Sequence, residues 1–393
     1  MNATVRSILT FIRAGVNYTL VRTIVLFVPL KKKKFFCVSM LGNNYGDNIK
    51  ALSDYIQTNL NDSEVVWAFT DSYYKKTTCS SKKVRLYTLQ YYLEILTSKY
   101  VLSNCTFNHK MLMKRKGQIY LQTWHGTTLK KIGHDISRDE NRSLPKRIES
   151  FLGLDPIGYD NSLIDVFVSG SKYMSQIYRD TFWYKGELSE VGTPRNDIFF
   201  QKHPEVIEKV KKEYGIDADT GIILYAPTFR TDSLFECYDI DLNTLQKAWE
   251  DKSGKKCKVL VRLHPNLLNN IDLFSNFLGG SVINASYYPD MQELLYSTDL
   301  LVTDYSSSMF DFMYTYRPVV IYAKDRKEYV RGMYFELEEL PFILVNGNDE
   351  LNEKIEAYDA SSYTQGISQF MNRIGSVETG NATQETVKLL LQR

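Results

Sequence analysis

Polar residues that suit acid–base or phosphate chemistry come just after short apolar runs. Trp124-His125-Gly126-Thr127-Thr128 follows the run 119–123, and Lys130 and Lys131 come next. A histidine held in a turn that contains glycine can act as an acid or a base at neutral pH, because the imidazole pKa lies in that range. A histidine that only supports the fold explains this feature, taken alone, equally well.

The second half of the chain places cations after apolar runs in the same way. Arg230 comes shortly after the run 222–225, Arg262 lies near the end of the run 259–263, and His264 follows that run. Cationic side chains neutralise phosphate charge and fix its position. These positions therefore predict a site for an anionic ligand.

A third candidate is the segment Thr303-Asp304-Tyr305-Ser306-Ser307-Ser308, which precedes an amphipathic segment that starts at Met309. Consecutive serines at the start of a helix offer hydroxyl groups and free backbone N–H groups, and both suit a phosphate. The alternative is that one serine caps the helix and the other two are solvated.

The elements that position these residues are short β-rich runs alternating with helical patterns, which indicates parallel sheets built from βαβ units. The predicted strands are 35–41, 65–70, 100–102, 119–123 and 166–169, and then 222–225, 259–263, 281–284, 300–303 and 319–322. Ligands bind beyond the carboxyl ends of the strands in such sheets. The pattern predicts an α/β protein with two Rossmann-like domains.

We expect four segments along the chain. Residues 1–34 form a membrane-surface amphipathic segment, 35–200 a first Rossmann-like domain that binds the acceptor, and 201–350 a second that binds the donor. Residues 351–393 form a helical tail that packs back on the first domain.

The N-terminal segment is basic and apolar. Residues 1–30 contain no acidic residue, and four lysines follow at 31–34. A helix from about residue 5 to residue 26 would carry an apolar stripe flanked by arginines, which suits an anionic membrane surface. The apolar run 24–30 is too short to span a bilayer. The alternative is a helix that covers the first domain, with a solvated lysine run.

Composition excludes several classes of protein. The chain has 393 residues, which suits two to three domains, with 48 Lys+Arg against 46 Asp+Glu. This balance disfavours a nucleic-acid-binding protein, and a hydrophobic content of 44% argues against disorder. The five scattered cysteines contain no C-x-x-C pair and indicate reduced thiols.

The sequence offers no convincing cofactor or metal motif. Asp217-Ala218-Asp219 and Asp239-Ile240-Asp241 have the D-x-D pattern, but the first lies before a strand, at the end opposite the ligand. No G-x-G-x-x-G and no Walker A loop follows a predicted strand. We therefore expect no required cofactor and no metal ion.

Six segments, in order over residues 35–325, resemble the CDP-glycerol glycerophosphotransferase family of teichoic acid and capsule synthesis. They are Trp124-His125-Gly126-Thr127, Val168-Ser169-Gly170-Ser171, Gly192-Thr193-Pro194-Arg195-Asn196-Asp197, 225–230, 262–265 and 303–312. The resemblance implies a GT-B architecture, with the donor nucleotide held mostly by the second domain and peripheral attachment to the cytoplasmic membrane face. Thr128 departs from the family pattern, which more often has proline there.

The resemblance also implies roles for individual residues. His125 matches the proposed catalytic base, with Gly126 and Thr127 in the acceptor turn, and His264 matches a second important histidine near the donor phosphates. The donor-binding residues that it implies are Thr303, Asp304, Ser306, Ser307 and Ser308, and Arg230 and Arg262 could add positive charge.

The expected reaction is attack by a hydroxyl of a lipid-linked saccharide or glycerophosphate acceptor on CDP-glycerol or CDP-ribitol, which releases CMP. The alternatives are a GT-B glycosyltransferase that uses a nucleotide sugar and a non-catalytic nucleotide-binding membrane scaffold. Because both His125 and His264 are present, the scaffold is the weaker alternative.

Overall fold

The structure is a computed structural model that describes residues 15–17, 19–107, 114–139, 156–230, 235–264, 267, 282–329 and 331–393. The chain divides into two units. Unit 1 comprises the described parts of Met1–His125, Glu140–Asp197 and Val377–Arg393, and unit 2 those of Gly126–Asp139 and Ile198–Ser376.

This division does not follow the bounds of the predicted segments. Residues 126–139 belong to unit 2 rather than to the first domain, and only Val377–Arg393 of the predicted tail belongs to unit 1. The backbone N–H of Val377 donates to the Gly170 carbonyl, which ties the start of this last segment to unit 1.

Unit 1 contains a parallel sheet with the strand order β3-β2-β1-β4-β5-β6-β7. Its strands are β1 (Lys31–Val38), β2 (Glu64–Phe69), β3 (Lys82–Arg85), β4 (Ser98–Ser103), β5 (Ile119–Gln122), β6 (Val166–Ser169) and β7 (Glu187–Glu190). Its helices are α1 (Asp47–Asn59), α2 (Asp71–Lys76), α3 (Leu89–Thr97), α5 (Pro156–Leu163), α6 (Lys172–Thr181) and α13 (Ala382–Leu391). The parallel sheet predicted for the first Rossmann-like domain is thus present.

The core of unit 1 forms where apolar strand residues meet helices α1 and α13. Phe35 and Cys37 of β1 and Leu52 of α1 are fully or almost fully buried in one cluster with Val387 and Leu390 of α13. The helix at the end of the chain therefore completes the core of unit 1.

Strand β1 begins at Lys31, whereas the sequence predicted a start at residue 35 and assigned the lysines 31–34 to a membrane-surface segment. The ammonium of Lys34 is buried and pairs with Glu94, and Lys31 pairs with Glu64 at 2.9 Å. Because a buried charge needs a partner, Lys34 belongs to the fold of unit 1. The basic run 31–34 is therefore part of β1 rather than a free tail.

Of the predicted N-terminal segment, residues 1–14 and 18 lie outside the described residues. Residues 19–24 are helical, with Val21 and Val25 buried against unit 1, while Val16, Leu20 and Phe27 are exposed. Within the described ranges, no helix is long and apolar enough to cross a bilayer.

Unit 2 contains a second parallel sheet, with the order β10-β9-β8-β11-β12-β13. Its strands are β8 (Gly221–Tyr225), β9 (Cys257–Val261), β10 (Val282–Asn284), β11 (Leu300–Thr303), β12 (Val319–Tyr322) and β13 (Ile343–Val345). Its helices are α4 (His134–Asp139), α7 (Pro204–Glu213), α8 (Leu242–Ser253), α9 (Met291–Ser297), α10 (Ser308–Phe312), α11 (Leu351–Glu356) and α12 (Ala360–Arg373). Strands β8 and β11 are neighbours at its centre and are buried along their whole length.

Candidate active site

Each sheet reverses its strand order next to its first strand, between β1 and β4 in unit 1 and between β8 and β11 in unit 2. The loops that leave such neighbouring strands diverge and open a crevice at their carboxyl ends. The predicted site residues lie on these loops and on the loops of the adjoining strands.

In unit 1, the backbone fixes the tautomer of His125. Its Nδ1 lies 2.9 Å from the Asn104 carbonyl oxygen. Because a carbonyl oxygen only accepts, Nδ1 must carry the proton, and Nε2 keeps its lone pair. Burial lowers the pKa of His125, so the imidazole is neutral at neutral pH. This is the form that a general base requires.

The thiol of Cys105 lies beside this histidine but does not compete with it as a nucleophile. Its Sγ is 3.7 Å from His125 Nδ1. Burial raises the pKa of Cys105 to about 12. A thiol with this pKa stays protonated at neutral pH, and the thiolate is the reactive form.

The turn that carries His125 is held by two amide side chains. Trp124 has a φ of 53°, which is uncommon for a residue with a Cβ. The Gln122 side-chain oxygen accepts from the Trp124 N–H at 2.9 Å, and the Asn48 amide donates to the Trp124 carbonyl at 3.0 Å. The Trp124 ring stacks on His125 with 4.2 Å between centroids. Gln122 and Asn48 therefore fix the turn that carries His125.

An ion pair that the sequence did not predict completes this edge of unit 1. Arg195 Nη1 lies 2.7 Å from Asp47 Oδ2, and both side chains are largely buried. Asp47 starts α1 with a φ of 65°, a strained value that functional sites often retain. Both charges act on His125, since Asp47 raises and Arg195 lowers its pKa. The Gly192-Thr193-Pro194-Arg195 segment of the family pattern was a usable signal for Arg195, but Asp47 resembled an ordinary helix start.

The predicted acceptor turn, Gly126 and Thr127, follows His125 and belongs to unit 2. Gly126 has a φ of 121°, a conformation that favours glycine. The Thr128 hydroxyl donates to the Lys130 carbonyl at 2.5 Å. This hydrogen bond constrains the turn at the position where the family more often has proline.

In unit 2, Arg230 and Asp304 do not reach out towards a ligand as the sequence suggested. Arg230 Nη2 lies 2.9 Å from Asp304, its Nε lies 2.7 Å from Asp325, and its side chain is 6% exposed. Asp304 also accepts from the Thr228 N–H at 2.9 Å. A buried arginine needs carboxylate partners, so this network fixes the loops after β8 and β11 and leaves few donors for a phosphate.

The serine segment also differs from its prediction, because α10 has only five residues. The N–H groups of Met309 and Phe310 donate to the carbonyls of Ser306 and Ser307, and the Ser306 hydroxyl lies 2.9 Å from that of Ser308. The expected free N–H groups are therefore used within the turn. The side chains of Ser306 and Ser307 remain partly exposed and keep hydroxyl groups at this edge.

The remaining predicted residues occupy the same edge of unit 2. Thr303 is buried and donates to the Ala226 carbonyl at 2.7 Å, so it joins β11 to the loop after β8. Arg262 donates to the Tyr288 carbonyl at 2.7 Å. His264 is exposed beside Phe229, and desolvation followed by the positive charge of Lys130 lowers its pKa.

The D-x-D segment at 239–241 has structural contacts. Asp241 caps α8 by accepting from the N–H groups of Asn243 and Thr244, and Asp239 pairs with Lys324 at 2.9 Å. Among the described residues, no three His, Cys, Asp or Glu side chains are grouped so as to hold a metal ion.

Comparison with known proteins identifies the family. The sequence pattern of the family described as CDP-Glycerol:Poly(glycerophosphate) glycerophosphotransferase matches residues 20–392 of this chain. The teichoic acid glycerol-phosphate transferase of Staphylococcus aureus (strain NCTC 8325 / PS 47) is 30% identical over 97% of this chain and 99% of its own length. The teichoic acid poly(glycerol phosphate) polymerase of Staphylococcus epidermidis is 31% identical over 90% of this chain, which spans only 50% of that relative.

Solved structures agree with this assignment. A histidine variant of the wall teichoic acid polymerase TagF has a TM-score of 0.80 and 27% identity, and the match covers 99% of this chain and 98% of that one. Another TagF variant, soaked with CDPG, has a TM-score of 0.79 at 26% identity. The chain therefore belongs to the CDP-glycerol:poly(glycerophosphate) glycerophosphotransferase family of transferase enzymes.

Proposed function

We propose that this chain transfers glycerol phosphate, or a related polyol phosphate, from a CDP-polyol to a hydroxyl group of a lipid-linked acceptor in teichoic acid or capsule synthesis. The observation that carries the proposal is His125, whose Nδ1 bond to the Asn104 carbonyl leaves Nε2 as a base. The names of the relatives support the substrate class, and ribitol-phosphate polymerases occur among them at 25% identity.

In the proposed reaction, the acceptor oxygen attacks the phosphorus nearest the polyol. A new P–O bond forms, the bond between the two phosphates breaks, and CMP leaves. The hydroxyl proton passes to Nε2 of His125. Transfer of this kind depends mainly on positioning and charge neutralisation, for which we propose His264, Arg262 and the serine segment of unit 2. We also propose that no metal ion is required.

A nucleotide-sugar glycosyltransferase is the second candidate, because the GT-B type that the resemblance implies hosts that chemistry as well. Isothermal titration of the whole chain with CDP-glycerol, CDP-ribitol and a UDP-sugar separates the two candidates. We expect the CDP-polyols to bind and the UDP-sugar to fail. Selective binding of the UDP-sugar would contradict the proposal.

Replacing two serines, Ser306→Ala with Ser307→Ala, should weaken CDP-glycerol binding about 10-fold. We assign these partly exposed hydroxyls to the diphosphate, and each net hydrogen bond contributes about 0.5–1.5 kcal/mol. Titration calorimetry measures the change. The control, Ser361→Ala with Ser362→Ala, removes two exposed hydroxyls of the same unit and should leave the affinity unchanged. Equal affinity for all three proteins would place the donor elsewhere.

We further propose that the N-terminal segment attaches the chain peripherally to the cytoplasmic face of the membrane. Leu20 and Phe27 are exposed apolar side chains. A Leu20→Ser, Phe27→Ser variant should sediment less with anionic vesicles than the wild type, and salt should release the wild type in part because it screens the basic residues.

A truncation gives the complementary test. It should begin at Pro29 so that β1, with its buried Lys34, stays intact. If this shorter chain sedimented as well as the full one, another surface would carry the attachment.

A further inference from the structure

Lys130 lies on a segment that the backbone anchors to unit 2. It forms an isolated antiparallel bridge with Met333. The N–H of Lys131 donates to the Gly332 carbonyl at 2.9 Å, and the N–H of Tyr334 donates to the Leu129 carbonyl at 2.8 Å. These bonds on both sides of Lys130 fix the point from which its side chain extends.

Charged side chains of both signs in unit 2 act on the Lys130 ammonium. Arg331 and Arg230 both repel this ammonium. The positive charge of Lys130 in turn lowers the pKa of His264. The carboxylate that attracts it is Asp304, which already accepts from Arg230 and Thr228.

Among the described residues, the Lys130 ammonium has no hydrogen-bond or ion-pair partner, although its side chain is partly buried. Burial, followed by the charge of Arg331, lowers the pKa of Lys130 to about 8. A partly buried ammonium beside other cations is costly unless an anion joins it.

We propose that Lys130 is a ligand of the donor diphosphate in unit 2, with its ammonium donating to a phosphate oxygen beside His264 and the serine segment. This inference rests on the proposed function for the identity of the donor. The diphosphate diester of a CDP-polyol carries two negative charges, which would offset the repulsion between Lys130 and Arg331. A lysine serves this purpose as a compact point charge with three donors.

The test is titration calorimetry of the full chain with CDP-glycerol. Lys130→Met, which keeps an unbranched side chain of similar length without the charge, should raise Kd about 10- to 100-fold, because a hydrogen bond to a charged group contributes more than a neutral one. Lys130→Arg should recover part of the affinity. Lys327→Met removes an exposed lysine of the same unit and should have no effect. If Lys130→Met bound like the wild type, the inference would be overturned.

Inorganic pyrophosphate separates this inference from the proposed function. If the wild type bound pyrophosphate in a Lys130-dependent way but failed to bind CDP-glycerol, the anion site would stand and the donor assignment would fail. If it bound CDP-glycerol independently of Lys130, the donor assignment would stand and the inference would fail. If the wild type bound neither compound, both the inference about Lys130 and the donor assignment would be overturned.

The pH dependence gives a readout that a purely structural lysine would not change. In the free protein Lys130 loses its proton near pH 8, while the phosphodiester charges stay constant in this range. CDP-glycerol affinity of the wild type should therefore fall as the pH rises above 8. That of Lys130→Met should stay flat, so that the two affinities converge at high pH. Parallel profiles for the two proteins would contradict a direct role.

Discussion

Replacing His125 by alanine should lower the rate of polyol-phosphate transfer by about 10²–10⁴-fold, the usual contribution of a general base. The substitution removes the Nε2 lone pair that the bond from Nδ1 to the Asn104 carbonyl makes available. It also removes one hydrogen bond and no buried ion pair, so the free energy of unfolding should fall by only about 1 kcal/mol. Steady-state CMP release and thermal unfolding measure the two quantities.

A matched control is His203→Ala, because His203 lies at the start of α7 and pairs with Glu205 at 3.0 Å. This variant should turn over like the wild type. Near-normal turnover by His125→Ala would remove His125 from the mechanism.

The pH profile tests the same role. Because burial lowers the pKa of His125 from 6.5, the decline of kcat/KM towards low pH should be centred below pH 6.5. A decline centred above pH 6.5 would indicate that a different group acts as the base.

Replacing Asp304 by alanine should lower the free energy of unfolding of unit 2 by about 3–5 kcal/mol, the cost of breaking a buried ion pair. The change leaves Arg230 with one of its two carboxylates, and it removes the acceptor of the Thr228 N–H. Urea unfolding measures the loss, with separate transitions fitted if the two units unfold independently.

Asp239→Ala is the control for this effect. Asp239 also pairs with a cation, Lys324, but its side chain is 68% exposed. Its loss should cost less than about 1 kcal/mol. If Asp304→Ala left unfolding unchanged and weakened CDP-glycerol binding, then Asp304 would contact the donor directly, as the family resemblance implied.

The sequence predicted the centres of both sheets well, because buried parallel strands are almost continuously apolar. Strands 166–169, 300–303 and 319–322 have the predicted bounds. The edge strands β3 and β7 were missed because they read Lys-Lys-Val-Arg and Glu-Leu-Ser-Glu. Edge strands need less apolar surface and often carry charge.

Residues of the candidate site could be predicted only where a residue of a chemically reactive type follows a strand. His125 and His264 could be found because each follows a strand. The pair Asp47–Arg195 joins residues that lie 148 positions apart, which no local pattern reveals. Arg230 has the residue type of a phosphate ligand, and only its contacts with Asp304 and Asp325 show its role in the fold.

Nucleotide release in the presence of a lipid-linked acceptor distinguishes polyol-phosphate transfer from sugar transfer. The whole chain is offered CDP-glycerol, CDP-ribitol and a UDP-sugar in separate reactions, and CMP, CDP and UDP are quantified. We predict CMP release from a CDP-polyol that depends on the acceptor and is lost in His125→Ala. Release of UDP from the nucleotide sugar, with no CMP from either CDP-polyol, would contradict polyol-phosphate transfer and identify a glycosyltransferase instead.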